Sequence, residues 1–172
     1  MKVILYMAMS VNGIIARENN EEDFLSHDNW NTFLQLANQT GCMIWGRKTH
    51  EIVKKWEKEY WDEIKNIRKV IISRNPNLKL EEGCLLANSP QDALEKLTKE
   101  GFESVILTGG ATLNTSFVKA GLIDEVILNV ESIAVGKGIP LFSPQDFDLK
   151  LQLLGLKKIS ESIVHLRYKV IK

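Results

Sequence analysis

The sequence predicts an α/β domain built on a largely parallel sheet, with helices on both faces and an antiparallel hairpin at its end. Three observations carry this. Short runs rich in β-branched and aliphatic residues alternate with segments whose apolar residues recur at helical spacing. Glycine and asparagine turn signals punctuate the boundaries. The last two dozen residues break the alternation and repeat with period two. Strand–helix alternation implies parallel strands with crossover helices, and a period-two tail adds antiparallel strands at one side.

The elements follow in order. "KVILYMAM" (2–9) is a strand ending at Ser10, and Asn12-Gly13 marks a turn. "RENNEEDFLSHDN" (17–29) is a polar surface loop leading into a helix, where Trp30, Phe33, Leu34 and Ala37 recur at helical spacing and Gly41 is the stop. "CMIW" (42–45) is a short buried strand, and the next helix starts near Arg47 and runs toward Trp56. "RKVIIS" (68–73) is a buried strand ended by Asn75-Pro76, and "CLLA" (84–87) is a short strand. Ser89-Pro90-Gln91-Asp92 starts a helix with a hydroxyl cap, proline at the first helical position and an acid in the first turn. That helix runs to about Lys99 and is closed by Gly101. "SVILT" (104–108) is a strand, Gly109-Gly110 a tight turn, 112–120 a helix closed by Gly121, and "DEVILNVE" (124–131) a strand. "LKLQLLGLKKIS" and "SIVHLRYKVIK" pair as a hairpin joined near Ser160–Ser162.

The 172 residues fit a single domain over 1–172, since domains run to about 100–200 residues. A formal net charge of zero argues against a diffuse pull toward nucleic acid or membrane, so any anion site must be local. No apolar run approaches the roughly 20 residues of a membrane helix. "MKVILYMAMS" has no positive flank beyond Lys2 and is broken by Asn12-Gly13, so it reads as a strand rather than a leader. Cys42 and Cys84 form neither a redox pair nor a zinc pattern and read as small core residues in a reducing, cytoplasmic setting. His27, His50 and His165 are scattered without metal-ligand spacing, so no metal is expected.

In open α/β sheets, ligands bind beyond the carboxyl ends of the strands. Three strand ends carry unusual residues. At Gly46-Arg47-Lys48-Thr49, two cations occupy the first turn of a helix, where the dipole disfavours them by roughly 0.3–1 kcal/mol each. A phosphate would reverse that sign. Position alone supports a solvated helix start and an anion site equally. Ser73-Arg74 pairs a hydroxyl with a guanidinium, the dressing of a phosphate monoester, although such a pair is also common on surfaces. Gly109-Gly110 lets backbone approach a ligand closely, or simply makes a tight turn. The dinucleotide fingerprint G-x-G-x-x-G fails there, because Ala111 and Asn114 stand where glycines would be needed. Glu131, about 20 residues further on, is therefore read as structural. Glu21, Glu22 and Asp23 read as solvated, His50 as helix surface, and Trp30 as core in preference to a stacking platform.

Taken together and in order, "AMSVNGIIA" (8–16), "GRKT" (46–49), "ISRN" (72–75), "TGGATL" (108–113) and "GLIDEVILNVESIAVGKGIPLF" (121–142) resemble the dihydrofolate-reductase-like superfamily. The closer branch is the C-terminal reductase domain of RibD, from riboflavin biosynthesis. The resemblance implies a three-layer α/β/α fold with a mixed, mostly parallel sheet of about eight strands. It implies NADPH as hydride donor and a pyrimidine- or pteridine-like heterocycle as substrate. The reaction it suggests is 5-amino-6-(5-phosphoribosylamino)uracil reduction first and dihydrofolate reduction second, with a non-catalytic NADPH-binding module as the reading from another class.

By position, the resemblance puts Arg47, Lys48 and Thr49 on the cofactor phosphates and Ser73 and Arg74 on the 2′-phosphate. Gly109 and Gly110, joined by a cis peptide, face the pyrophosphate and nicotinamide, and Ala8 and Ile15 border the nicotinamide. Gly46, Thr108, Ala111 and Thr112 complete the cofactor set. The substrate positions depart from the family pattern. Tyr6 stands where the riboflavin branch commonly has lysine, Asn12 where it has aspartate, and Thr108 where it has glutamate. Trp30 falls where dihydrofolate reductases place the pterin-binding carboxylate. Tyr6, Asn12 and Trp30 are the candidate substrate contacts, and Asp28, the nearest acid, is the candidate catalytic residue. A small heterocyclic partner and a homodimer are expected, and nucleic acid and membrane are not.

Overall fold

The computed structural model describes residues 1–172. Ten strands and five helices follow one another as β1 (Lys2–Ser10), β2 (Ile14–Ala16), α1 (His27–Thr40), β3 (Cys42–Gly46), α2 (Arg47–Val53), α3 (Lys58–Glu63), β4 (Arg68–Ile72), β5 (Cys84–Ala87), α4 (Pro90–Lys99), β6 (Ser104–Leu107), α5 (Ala111–Lys119), β7 (Glu125–Glu131), β8 (Ile139–Pro140), β9 (Leu151–Lys158) and β10 (Ile163–Val170). Eight strands form one sheet in the order β5-β4-β3-β6-β1-β7-β10-β9. The first six are parallel, and β10 runs antiparallel to both β7 and β9. The expected mixed eight-stranded sheet with a terminal hairpin is what the chain builds.

Each central strand is apolar on both faces, as a sheet covered by helices on both sides requires. Val3, Leu5, Cys42 and Ile44 join Ala93 and Leu97 of α4 and Leu113 and Phe117 of α5 in one core. Ile4, Tyr6, Met43 and Trp45 point the other way, into a core with Phe33 and Ala37 of α1 and Val53 of α2. The period-two alternation of strand side chains thus separates two cores across one sheet. Burying each large aliphatic contributes about 1.5–3 kcal/mol.

The helix ends follow their local signals. Gly41 adopts a φ of 69° and its N–H donates to Ala37 O, a left-handed stop that costs glycine little. The Asp92 N–H donates to Ser89 Oγ, with Pro90 opening α4.

Four details differ from expectation, the last of them His50. The helix after Arg47 ends at Val53, and a separate helix α3 follows. No glycine or proline marks this break. It lets Trp56 and Tyr60 turn toward Trp30, with ring centroids 5.8 and 5.1 Å away. Strands β2 and β8 form a small separate sheet, too short to show a hydrophobic period. Their approach depends on Gly138, since a Cβ there would sit 2.4 Å from Ala16 O. Cys84 is half-buried, whereas Cys42 is fully buried.

His50 lies on the inner side of α2, only 2% exposed, and not on the helix surface. Its ring packs beside those of Trp45 and Trp61, and Nε2 lies 2.8 Å from Glu81 Oε2. Burial holds its pKa below the ordinary imidazole value, partly opposed by the Glu81 carboxylate. The expectation failed because α2 is short and covered by the 75–83 segment, which no local pattern reveals.

No helix is long and apolar enough to cross a membrane.

Candidate active site

Parallel strands end on the same side. Because β4, β3 and β6 are neighbours in the sheet, the three singled-out strand ends meet at one edge. They form the rim of a cleft of about 1660 Å³. Common small-molecule pockets are about 300–1,000 Å³, so this one has room for a large ligand and a second, smaller one.

The rim is made largely of backbone. The Gly46 N–H donates to Gly109 O at 2.9 Å, which ties the end of β3 to the turn after β6. The Gly109–Gly110 peptide is cis, and Gly109 has a φ of 86°. A Cβ on Gly110 would lie 3.8 Å from Thr49 Oγ1, so the absent side chain leaves a lane between the starts of α2 and α5. Ser73 Oγ accepts from the Asn75 N–H at 3.1 Å, which fixes the bend after β4. Arg47 pairs with Glu51 at 2.7 Å, whereas the exposed Lys48 and Arg74 have no carboxylate partner. Gly46, Arg47, Lys48, Thr49, Ser73, Arg74, Thr108, Gly110, Ala111 and Thr112 all line the cleft, as do Ala8 and Ile15. Gly109 sits just behind, with its missing Cβ position 3.2 Å from the Met7 side chain.

The far end of the cleft is made of side chains. Trp30 and Phe33 of α1 meet Trp56 and Tyr60 in a cluster of rings. Trp30 stands edge-on to Trp56 and to Tyr60, with interplanar angles of 78° and 87°. Trp56 and Tyr60 cross at 69°. Beneath them lies a buried polar network. Glu131 Oε1 accepts from the Ser26 N–H at 2.7 Å and from Asn29 Nδ2 at 2.5 Å, so Glu131 is structural, as expected. Tyr6 Oη donates to the Asn29 carbonyl at 2.9 Å and accepts from Asn129 Nδ2 at 3.0 Å. Asn129 Oδ1 in turn meets His165 Nδ1 at 2.8 Å. Burial raises the Tyr6 phenol above its ordinary pKa, so this hydroxyl is a fixed structural donor. Asn29 is 5% exposed, and its Oδ1 has no hydrogen-bond partner within the protein. An unpaired buried acceptor costs about 1–3 kcal/mol.

The candidate substrate and catalytic residues divide. Tyr6 and Trp30 line the cleft. Asn12 does not: its amide donates to Val135 O, and its Oδ1 accepts from Val135 N and Ser10 Oγ. These bonds tie the turn after β1 to the 133–138 segment. Asp28 is exposed in the first turn of α1 and does not line the cleft, although His27 and Asn29 do. The helical repeat explains this. Asn29, Phe33, Ala37 and Thr40 are the buried face of α1, and Asp28 lies a 100° step away from it. Sequence reasoning passed over Asn29, Trp56 and Tyr60. The i,i+4 spacing of Trp56 and Tyr60 was the only local signal, and nothing local points to their partner Trp30.

The family model for the RibD C-terminal domain matches residues 1–165. YyaP of Bacillus subtilis (strain 168), an uncharacterized protein, is 27% identical, covering 97% of this chain and 94% of its own. The fold is shared with two solved reductases. One is the Thermotoga maritima diaminohydroxyphosphoribosylaminopyrimidine deaminase/5-amino-6-(5-phosphoribosylamino)uracil reductase, with a TM-score of 0.76 at 17% identity, covering 99% of this chain and 56% of that one. The other is the dihydrofolate reductase of Enterococcus faecalis complexed with NADP(H), with a TM-score of 0.74 at 17% identity, covering 99% of this chain and 97% of that one.

Proposed function

The chain belongs to the RibD C-terminal domain family, and we propose that it is an NADPH-dependent reductase that reduces a pyrimidine- or pteridine-like heterocycle. One observation carries the reading. Two unpaired cations, Lys48 and Arg74, and a side-chain-free lane at Gly110 converge on one rim of one cleft. Unpaired cations beside open backbone are what a phosphorylated dinucleotide needs.

Lys48, Thr49 and the Arg47 side chain would hold the pyrophosphate region, and Ser73 and Arg74 the 2′-phosphate. Gly110, Ala8 and Ile15 would border the nicotinamide. The cofactor supplies the hydride, and the protein's share is positioning and electrostatics. The chain itself contributes an apolar wall that excludes water, an aromatic cluster opposite the rim, and a buried network that holds Asn29 and Tyr6 in fixed orientation. The neighbour from Thermotoga makes the phosphoribosylaminouracil the first substrate to assay, and dihydrofolate the second.

The test compares NADPH with NADH, which differ by the 2′-phosphate. Arg74→Ala should weaken NADPH by about 1.5–3 kcal/mol, the worth of a charge-assisted contact, and leave NADH unchanged. Equal loss for both in a fluorescence titration would remove Arg74 from the cofactor site.

A further inference from the structure

The last two strands leave one side of the sheet uncovered. We propose that this side is an interface between two copies of the chain, packed face to face through β9 and β10 about a two-fold axis that sets the two β9 strands antiparallel. Neither strand lines the cleft, so the proposal goes beyond the reductase reading and does not depend on it.

Residues directly opposite each other in an antiparallel pair share a face. The register therefore sorts the hairpin into two faces. Val164, Leu166 and Tyr168 of β10 share one with Leu156, Leu153 and Leu151 of β9, and His165, Arg167 and Lys169 share the other with Lys157, Gly155 and Gln152. The polar face is complete in itself. Glu125 pairs with both Lys2 and Arg167, and His165 meets Asn129. The apolar face is not. It continues the core that α4 and α5 cover, yet at β9 that cover has ended. Leu156 is 65% exposed, Leu153 55% and Leu151 37%, with Val164 beside them at 38%. A contiguous apolar patch of this kind on a sheet face marks an interaction site.

The face, and not the strand edge, is what offers itself. β9 lies at the end of the sheet, but its ladder with β10 shifts at Leu154, which has no partner between Leu153 and Gly155. A bulged edge is a poor template for another strand. The size of the face fits a dimer. Two strands of eight residues each, with the 144–150 segment leading into β9, approach the 20–30 residues a side of a standard interface, about 800 Å² per partner.

Charge selects a second copy as the occupant. Exposed Asp146 and Asp148 outnumber Lys150 just before β9, and Lys157 and Lys158 outnumber Glu161 at its other end. A two-fold axis lying between the faces and across the strands turns β9 end for end over itself. The lysines of each copy then meet the aspartates of the other, and leucines meet leucines. A two-fold contact must be complementary to itself, and an apolar strip with opposite charges at its two ends meets that condition.

Sedimentation of the full-length chain at micromolar concentration should show a species of twice the 19.5 kDa chain mass. Leu156→Glu places an unpaired carboxylate in the contact and should give a monomer with an unchanged circular dichroism spectrum; Leu153→Glu serves if that variant does not fold. Lys158→Glu should weaken the dimer about tenfold or more by setting acid against acid, and Asp148→Lys in the same chain should restore it. Lys169→Glu, on the polar face, should leave the dimer unchanged. A wild-type chain that stays monomeric leaves the face to a different partner and overturns the proposal. So does an open-ended assembly, a dimer that survives both leucine substitutions, or one that dissolves with Lys169→Glu. Failure of Asp148→Lys to rescue Lys158→Glu overturns the antiparallel arrangement.

Discussion

The two ends of the cleft are built from different parts of the polypeptide. The rim at β3, β4 and β6 is a backbone frame of two glycine turns, two helix starts and a bend fixed by Ser73 Oγ, which carries the Arg47, Lys48 and Arg74 side chains. The far end is side chain: rings contributed by residues 30 and 33 on one segment and 56 and 60 on another, over a network that reaches Asn129 and His165. A site made of backbone accepts many neighbouring side chains but fails when a Cβ intrudes. A site made of side chains can be retuned one residue at a time. The rim is therefore where a shared cofactor belongs, and the ring cluster is where members of one family would differ in substrate.

The sharpest way to break this comparison is Gly110→Val. The glycine's φ of −81° is ordinary for any residue, and the nearest atom to an added Cβ is Thr49 Oγ1 at 3.8 Å. The fold should survive, as judged by an unchanged circular dichroism spectrum, while the valine methyls fill the lane between α2 and α5. Binding of both NADPH and NADH should be lost. Retained affinity would mean that the Gly109–Gly110 turn serves the fold alone.

The same contrast governs what could be read from sequence. Strand ends, glycine turns and the Ser89-Pro90 helix start are local, and each was legible because a few consecutive residues dictate it. Arg47, Lys48 and Arg74 were visible as charges at strand ends and Ser73 as a hydroxyl beside one of them, and the parallel sheet then brought them to one rim. The ring cluster was not legible, because Trp30 and Trp56 are 26 positions apart and meet only through the break between α2 and α3. Asp28 and Asn12 were chosen for their chemistry, and the structure turns one to solvent and spends the other on Val135. Asn29, one residue from Asp28, was missed because an amide signals nothing until its neighbours are known.

A smaller effect probes the side-chain end. Tyr6→Phe deletes the hydroxyl that the Asn29 carbonyl and Asn129 Nδ2 both use. Two buried polar groups lose a partner, so unfolding in urea should show a loss of about 1–3 kcal/mol. Cofactor affinity should hold, since the rim does not use that hydroxyl. If stability is unchanged, the network does not hold Asn29 in place.

The smallest effect joins the two ends. His50 sits on α2, whose start forms the rim, and its ring packs against Trp61 of α3, the helix that carries Tyr60. Desolvation by burial is the largest influence and lowers the pKa of His50; the Glu81 carboxylate and, more weakly, Glu51 raise it, Lys54 lowers it, and the net shift is downward. A histidine whose folded pKa is depressed binds fewer protons folded than unfolded. Stability from this group is therefore fully present above the unfolded value of about 6.5 and declines as pH falls below it, toward the folded pKa. Urea unfolding between about pH 5.5 and 8 should show that decline in the wild-type chain. His165, also depressed by burial, and Glu22, whose carboxyl burial pushes up to about 7 with the opposite effect on stability, titrate in both chains, so the slope lost on going from wild type to a His50→Gln variant is the part that belongs to His50. Identical slopes would mean that His50 takes up its proton in the folded state as readily as in the unfolded one, and that the packing between α2 and α3 does not depend on keeping it neutral.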